Sequence, residues 1–481
     1  MIEHLSGELL HYPKLSLYAF HLSHDMALAE GERVEDSELL WLRLEELGKF
    51  LKIDALATCS QWLNMGQNQA TVPFRELLSE EIDRCLRFHF PPGAADSETP
   101  RRNGELYAVQ LHDIYVADLT FRYPGIVPVT ELTHLNPEGT LLPDRISASI
   151  GQTLVLFAKP VISESHPTPP NLRQLADRCV QALLREAQTP FQPSYRAEGK
   201  LLGSPIFEYD NDSQNPAHYC HILIWLDCHP DTASLEASAD YYRPLVDLLS
   251  YRSKIWFSYH QARNRYRECR QVYHQLETQM QALPTLPEAP AKKLTALQDS
   301  LLKINPQAFT CTSHIRDIED QRTTILTNLN NYTKKLKHLT NIAGEHDLSF
   351  FQTFGHECRS KFLAQIHTDL NYLKPGKALF GQCIATMRGI VEVEQAQLNH
   401  SQQEVNQDLQ DHIQAVGVGI AAGAIVASTS GLMFQPWSWK EAKIEPTLPL
   451  PLLGFLIALF LSGFCSVGAW YLAKETIKKR R

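Results

Sequence analysis

One stretch near the C-terminus constrains this chain more than any other: "LPLPLLGFLIALFLSGFCSVGAWYLA", Leu448 to Ala473, which holds no charged residue. Its 26 residues include thirteen Leu, Ile, Phe or Val. Near the centre of a bilayer each contributes roughly -0.3 to -0.6 kcal/mol, and about 20 apolar residues suffice to cross about 30 Å of hydrocarbon. The stretch predicts a transmembrane helix over 448–473. A second charge-free segment, "IQAVGVGIAAGAIVASTSGLMF" (Ile413–Phe434), has only eight such residues and many small ones. Its GxxxG pattern at Gly419 and Gly423 lets helix backbones approach closely, so a first span over 412–434 is expected to face other helices or a pore more than lipid. A buried helix of a soluble domain is the alternative for that segment.

The basic tail 474–481, with Lys478, Lys479, Arg480 and Arg481, is expected on the cytoplasmic side. Two spans joined by a short loop, 435–447, then return the chain to the side it left. Both termini are expected in the cytoplasm of a multi-pass protein of the inner or plasma membrane. The opening "MIEHLSGELLHYPK" lacks the apolar core of a secretory signal. Ten cysteines without a CxxC fit reduced thiols.

Upstream, residues 1–235 mix strand and helix signals. "KLSLYAFHL", "ELYAVQLHDIYVADLTFRYPG", "GQTLVLFAKPV" and "HYCHILIWLD" are rich in β-branched and aromatic residues and read as strands. "EDSELLWLRLEELGKFLKI" and "NLRQLADRCVQALLREAQ" carry apolar residues at three- and four-residue steps and read as amphipathic helices. Residues 236–411 lose the strand signal and predict long helices, a stalk or coiled-coil-like region, broken at Pro306, Gly344 and Pro375-Gly376. The last helix carries a seam at Ile384, Val391, Leu398 and Val405. The expected fold class is an α+β cytosolic domain, long α-helices and two C-terminal transmembrane helices.

No nucleotide-binding, hydrolase or zinc-protease motif occurs, so no catalytic residue, metal ligand or resident cofactor is assigned. A net charge of -9 argues against nucleic acid as a partner. "CHILIWLDCH" repeats a thiol-imidazole pair, but a strand of that length separates the pairs too widely for one zinc ion. "FEYDNDSQN" spaces Asp210, Asp212 and Gln214 like a calcium loop but lacks its glycine and its bidentate glutamate, and a polar turn between strands is the expectation. His112-Asp113 and His24-Asp25 read as adjacent strand residues on opposite faces. "ARNRYRECR" reads as a solvated or ion-paired helix face.

Glu404, Asp408 and Asp411 share one helical face just before the first span. In a ring of subunits they would form acidic rings at a pore mouth, and in a monomer they are a wet helix face. The order of elements, with the basic tail, resembles the CorA-type divalent-cation channels. Where that family ends its first span with Gly-Met-Asn, this chain has Gly431, Leu432, Met433 and Phe434, and the asparagine is absent. The resemblance implies a homo-oligomer whose first span lines a pathway for cations, a divalent cation among them, with Gly419, Gly423, Ser428, Ser430, Gly431 and Met433 packing or lining it. On this expectation membrane lipid is a partner and an unidentified cytosolic ligand or protein acts on the N-terminal domain. The alternative is a non-conducting membrane-tethered scaffold or signalling adaptor that binds other proteins through its long helices.

Overall fold

The structure, a computed structural model, describes residues 8–24, 32–65, 73–91, 101–161, 171–187, 191–281 and 290–401, together with 413, 416, 417, 420, 421 and 470. The chain divides into two compact units: Met1–Asp25 with Arg33–Asn264 and Glu319–His367, and Met26–Glu32 with Arg265–Ile318 and Thr368–Arg481.

The first unit is built on a ten-stranded sheet. Its strands are β1 (Leu9–Leu22), β2 (Arg75–Glu76), β3 (Leu86–His89), β4 (Asn103–Leu111), β5 (Ile114–Arg122), β6 (Ile126–Pro128), β7 (Gly151–Pro160), β8 (Ser194–Leu201), β9 (Ser204–Asp210) and β10 (Cys220–Leu226). The order is β2-β4-β5-β1-β7-β10-β9-β8, with β3 beside β4 and β6 beside β1. Only β7 and β10 run parallel; the other neighbours are antiparallel. The helices are α1 (Leu39–Leu51), α2 (Asp54–Ala57), α3 (Pro143–Ile146), α4 (Leu172–Leu184), α5 (Thr232–Ala237), α6 (Tyr242–Gln281), α7 (Pro290–Thr340), α8 (Ser349–Glu357) and α9 (Ala364–Ser401).

Strand periodicity sorts the sheet residues onto two faces. Leu15, Leu17 and Ala19 of β1, Tyr115, Ala117 and Leu119 of β5, Leu154 and Leu156 of β7, and Ile222 and Ile224 of β10 join one apolar core. Leu40, Trp41 and Leu44 of α1 and Leu175, Cys179 and Leu183 of α4 close it. The alternate positions on the same strands are another text. Tyr18 lies opposite Asp118 and Thr153, Thr153 opposite His221, and His221 opposite Asp210, forming a polar row across five strands. The N-terminal part of α6 covers this face: Tyr242 donates to Asp118, Arg252 pairs with Glu208, and Lys254 pairs with Asp113.

The second unit takes residues from α6, α7 and α9. Within it α6 and α7 run antiparallel, as the pairs Arg265–Asp317, Glu268–His314 and Cys269–Cys311 show. The buried seam of α9 is Leu373, Gly376, Phe380, Cys383, Met387 and Val391. Ile384, assigned to the seam from sequence, is half-buried beside it, and Val391 belongs to it.

Two expected helix breaks are absent. α7 runs through Pro306 and α9 through Pro375, whereas the chain does leave helix around Gly344, at φ +112°. A mid-helix proline costs about 3 kcal/mol, which packing along helices of this length offsets. At Pro375-Gly376 the glycine has a packing role instead: a Cβ on Gly376 would fall 0.7 Å from the Tyr273 hydroxyl oxygen. The pair seats Tyr273, whose ring meets Phe380 at 4.6 Å.

The expectation of two transmembrane helices is corrected. Among the described residues no helix is long and apolar enough to cross a membrane. The described helices are charged along their length: α9 alone carries Asp369, Lys374, Lys377, Arg388, Glu392 and Glu394, and each charged side chain costs about 2.5–3.5 kcal/mol at a bilayer centre. The segments 412–434, 435–447, 448–473 and 474–481 lie outside the described residues, apart from the six positions named above. A two-span protein of the inner or plasma membrane, and the ion-transport reading built on it, are without support.

Candidate functional site

A cavity of about 240 Å³ opens in the first unit on the polar side of the sheet. Ala197, Glu208 and Asp210 come from β8 and β9, Tyr219 from the entry to β10, Arg252 and Trp256 from α6, and Phe350, Phe354 and Glu357 from α8. Each element presents these side chains through its own period. Glu208 and Asp210 are two apart on a strand, Arg252 and Trp256 four apart on a helix, and Phe350, Phe354 and Glu357 fall at i, i+4 and i+7. Directly after α8 the helix makes one π turn, Cys358–Leu363. That extra residue re-aims the turn so that Phe362 stacks on Tyr259 at 4.4 Å and meets Trp256 edge-on at 5.7 Å.

The floor of the cavity is a buried ion cluster. Arg252, 6% exposed, places Nη2 2.7 Å from Glu208 Oε1, and Glu208 is 5% exposed. His221, 1% exposed, donates from Nε2 to the same carboxylate at 3.0 Å and accepts at Nδ1 from Thr153 Oγ1 at 3.3 Å. Arg252 also donates to the Tyr219 hydroxyl at 3.4 Å, and Tyr219 donates to Asp210 Oδ2 at 3.3 Å. The guanidinium lies 4.3 Å from the centre of the Phe354 ring.

Burial alone would raise the Glu208 pKa, but the Arg252 charge and the His221 hydrogen bond outweigh it and hold the carboxyl down at about 2. Burial, helped by the Arg252 charge, pushes the His221 pKa down, so the imidazole is neutral and acts as a hydrogen-bonding wedge. One polar atom of the cluster is unanswered: Arg252 Nε is buried without an acceptor among the described residues. It shares that state with the Nε atoms of other arginines, Arg43 and Arg75 among them, so the feature that sets Arg252 apart is its place at the floor of the cavity.

At the rim, Arg196 donates to Asp210 at 2.7 Å and pairs with Asp212 at 3.0 Å, while Glu357 pairs with Lys361 at 2.5 Å. The lining holds four carboxylates, Glu208, Asp210, Asp212 and Glu357, against two guanidinium groups, Arg196 and Arg252. Its walls are the rings of Tyr219, Trp256, Phe350 and Phe354. A second cavity in this unit, about 160 Å³, lies beside Asp113 and Asp247. There Asp247 is held by Arg243 at 2.9 Å and Lys335 at 2.8 Å, and Lys254 pairs with Asp113. These are braces between α6, the sheet and α7.

The residues singled out in the sequence fall in several places. Asp210 and Asp212 meet Arg196, and residues 211–219 connect β9 to β10 as a polar link. His112 and Asp113 are not strand residues; they are the two-residue turn between β4 and β5, with His112 at φ 55°. Cys220 points into the apolar core, its pKa raised to about 12 by burial, while its neighbour His221 faces the cavity side. No cluster of metal-ligating side chains occurs among the described residues. Arg265 of the basic run is ion-paired with Glu268 and Asp317. Gly419, Gly423, Ser428, Ser430, Gly431 and Met433, the acidic Glu404, Asp408 and Asp411, and the tail Lys478, Lys479, Arg480 and Arg481 lie outside the described residues, as does Asp25. Sequence reasoning missed Arg252 and Glu208. The available signal was weak: in "LVDLLSYRSKIW" Arg252 stands among Asp247, Ser250, Ser253 and Lys254 as well as apolar residues, and nothing local marks it as the buried one.

No family model, no curated protein and no solved structure matches the chain. Nothing in these comparisons bears on the resemblance to CorA-type channels.

Proposed function

We propose that the first unit is a non-enzymatic sensor that binds a small ammonium-bearing molecule with an oxygen function, of amino-acid or amino-alcohol size, in the cavity above Arg252. The observation that carries this reading is the cavity itself, walled by the rings of Tyr219, Trp256, Phe350 and Phe354 with the Arg252 guanidinium at its floor. The guanidinium favours an oxygen on the ligand. The surplus of carboxylates and the Tyr219 and Trp256 rings favour an ammonium group on the same molecule, because an aromatic face attracts cations by about 0.5–2 kcal/mol. Binding rather than catalysis follows from how the lining is committed. Both nitrogens of His221 are hydrogen-bonded, and Glu208 is fixed as a carboxylate between Arg252 and His221. Neither is placed to take a proton from a substrate.

Isothermal titration of the full chain with free L-amino acids, ethanolamine and choline, and with inorganic phosphate as the anionic control, tests the reading. Saturable binding of at least one ammonium-bearing probe is expected, weakened about tenfold or more by Trp256→Ala. Binding of phosphate alone, or of none of the probes, sinks it. An adaptor that binds other proteins through its long helices is the reading left if every titration is silent.

A further inference from the structure

The second unit holds two thiols that meet. Cys269 of α6 and Cys311 of α7 lie 42 residues apart in sequence, yet their Sγ atoms are 2.9 Å apart. That is within about 1 Å of the roughly 2.05 Å of a disulfide bond, so closure needs only a small shift of two side chains on antiparallel helices. Both residues are enclosed, at 0% and 1% exposure. By contrast Cys228 is exposed and the remaining described cysteines are buried in other places.

We propose that Cys269 and Cys311 form a reversible disulfide that fastens α6 to α7 within this unit. The partners' chemistry is asymmetric in a useful way. The hydrogen bond from the Cys269 thiol, together with the charge of Lys377, lowers the pKa of Cys311, and Cys269 is correspondingly raised. The 2.9 Å contact lets either sulfur act first; in the exchange proposed, Cys311, the thiol nearer the Lys377 charge, is the attacker and Cys269 the resolving thiol.

The oxidant is a small disulfide, RSSR. Cys311 thiolate attacks one sulfur, forming the Cys311–SR mixed disulfide and expelling RS⁻. Cys269 then gives its proton to solvent, and its sulfur attacks Cys311 Sγ, forming the protein disulfide and expelling the second RS⁻. Two protein thiols are oxidised, one RSSR is reduced, and the two released thiolates take up the two protons. Because both sulfurs are enclosed, exchange proceeds through transient opening of the helices.

The reduced full chain is incubated with oxidised glutathione, quenched in acid, alkylated under denaturing conditions and digested for peptide mass spectrometry. The expected product is a Cys269–Cys311 cross-linked peptide at about tenfold or more over any other cysteine pair, with glutathione attached at Cys228. Dithiothreitol should remove both. Wild type suffices for this arm, so no variant needs to fold. In a Cys269→Ala variant checked for helix content by circular dichroism, Cys311 should instead accumulate as a glutathione adduct. The proposal is overturned if both thiols stay fully alkylatable after Cys228 has reacted to completion, even in urea that opens the helices without unfolding the sheet. It is equally overturned if the cross-link is no commoner than random pairs.

Discussion

The two faces of the sheet are made by the same strands and solve burial in opposite ways. One face stacks Leu, Ile, Ala and aromatic side chains against α1 and α4, and its stability is area removed from water, roughly 25 cal/mol per Å². The other buries Asp118, Thr153, His221, Glu208 and Arg252 under α6, where every charge must meet a partner. An apolar face tolerates repacking and specifies only volume. A polar face specifies partners one by one, and it fixes α6 at a single register along the sheet. It is also the face with a cavity, and the Arg252–Glu208 pair forms its floor.

The largest effect expected from breaking this contrast is at Glu208 and Arg252. Either Glu208→Leu or Arg252→Met alone leaves one buried charge uncompensated and should cost about 3–5 kcal/mol in urea unfolding. The double variant turns this part of the polar face into a copy of the apolar one. It should recover most of that loss, since a buried ion pair replaced by packed apolar groups is often neutral in stability. It should also abolish binding of any ligand found by titration. Additive losses in the double variant would mean the pair is not coupled, and the two faces would then differ less than the geometry says.

A smaller effect tests whether the polar face titrates. Burial raises Asp118 to about 6, against the hydrogen bonds from Tyr242 and Thr120 that favour its charge. Its folded pKa lies above the unfolded value of about 3.9, so the folded state holds the proton longer. The stability this gives is present in full below about pH 3.9 and is lost as pH rises to about 6, on the order of 3 kcal/mol in all. Wild type should therefore lose stability relative to Asp118→Asn between pH 4 and pH 6, then run parallel to it above pH 6. Glu208 has the opposite sign: its contribution is present above about pH 4.5 and is lost as pH falls through about 2. A flat difference between wild type and Asp118→Asn across pH 4–6 would show that Asp118 is solvated.

The contrast between the faces also explains what could be read in advance. β1, β7 and β10 were legible because alternation and β-branched content are local, and α1 and α4 because their apolar steps are local; β4 and β5 were read as one strand stretch, the turn at His112-Asp113 included. The cluster around Arg252 was not, because it joins positions 153, 208, 221 and 252, which only the strand register brings together. Even Asp210 and Asp212, visible as an acidic run, took their meaning from Arg196 on the neighbouring strand. Pro306 and Pro375-Gly376 misled for a related reason: local propensity marks a break, and long-range packing keeps the helix. The two apolar C-terminal segments lie outside the described residues, and among those described no helix is long and apolar enough to cross a membrane.

The finest test of the contrast is Thr153. Its hydroxyl donates to His221 Nδ1 at 3.3 Å, a long hydrogen bond to the nitrogen left without a proton because Nε2–H faces the Glu208 carboxylate. Thr153→Val keeps the shape and removes only the hydroxyl. On the apolar side of β7, where Leu154 packs, an isosteric change costs little. On the polar side it leaves Nδ1 buried without a donor and should cost about 1 kcal/mol, near the lower end for an unsatisfied buried group because the bond lost is long. The discriminating readout is the His221 ring in ¹⁵N-resolved NMR: wild type should show the Nε2–H tautomer throughout pH 5–8. Thr153→Val should keep that tautomer, which Glu208 holds, and move only the Nδ1 resonance, as an acceptor that has lost its donor does. If the Nδ1 resonance is unchanged and the stability loss is nil, Thr153 is a bystander, and the polar row ends at His221 instead of crossing the sheet.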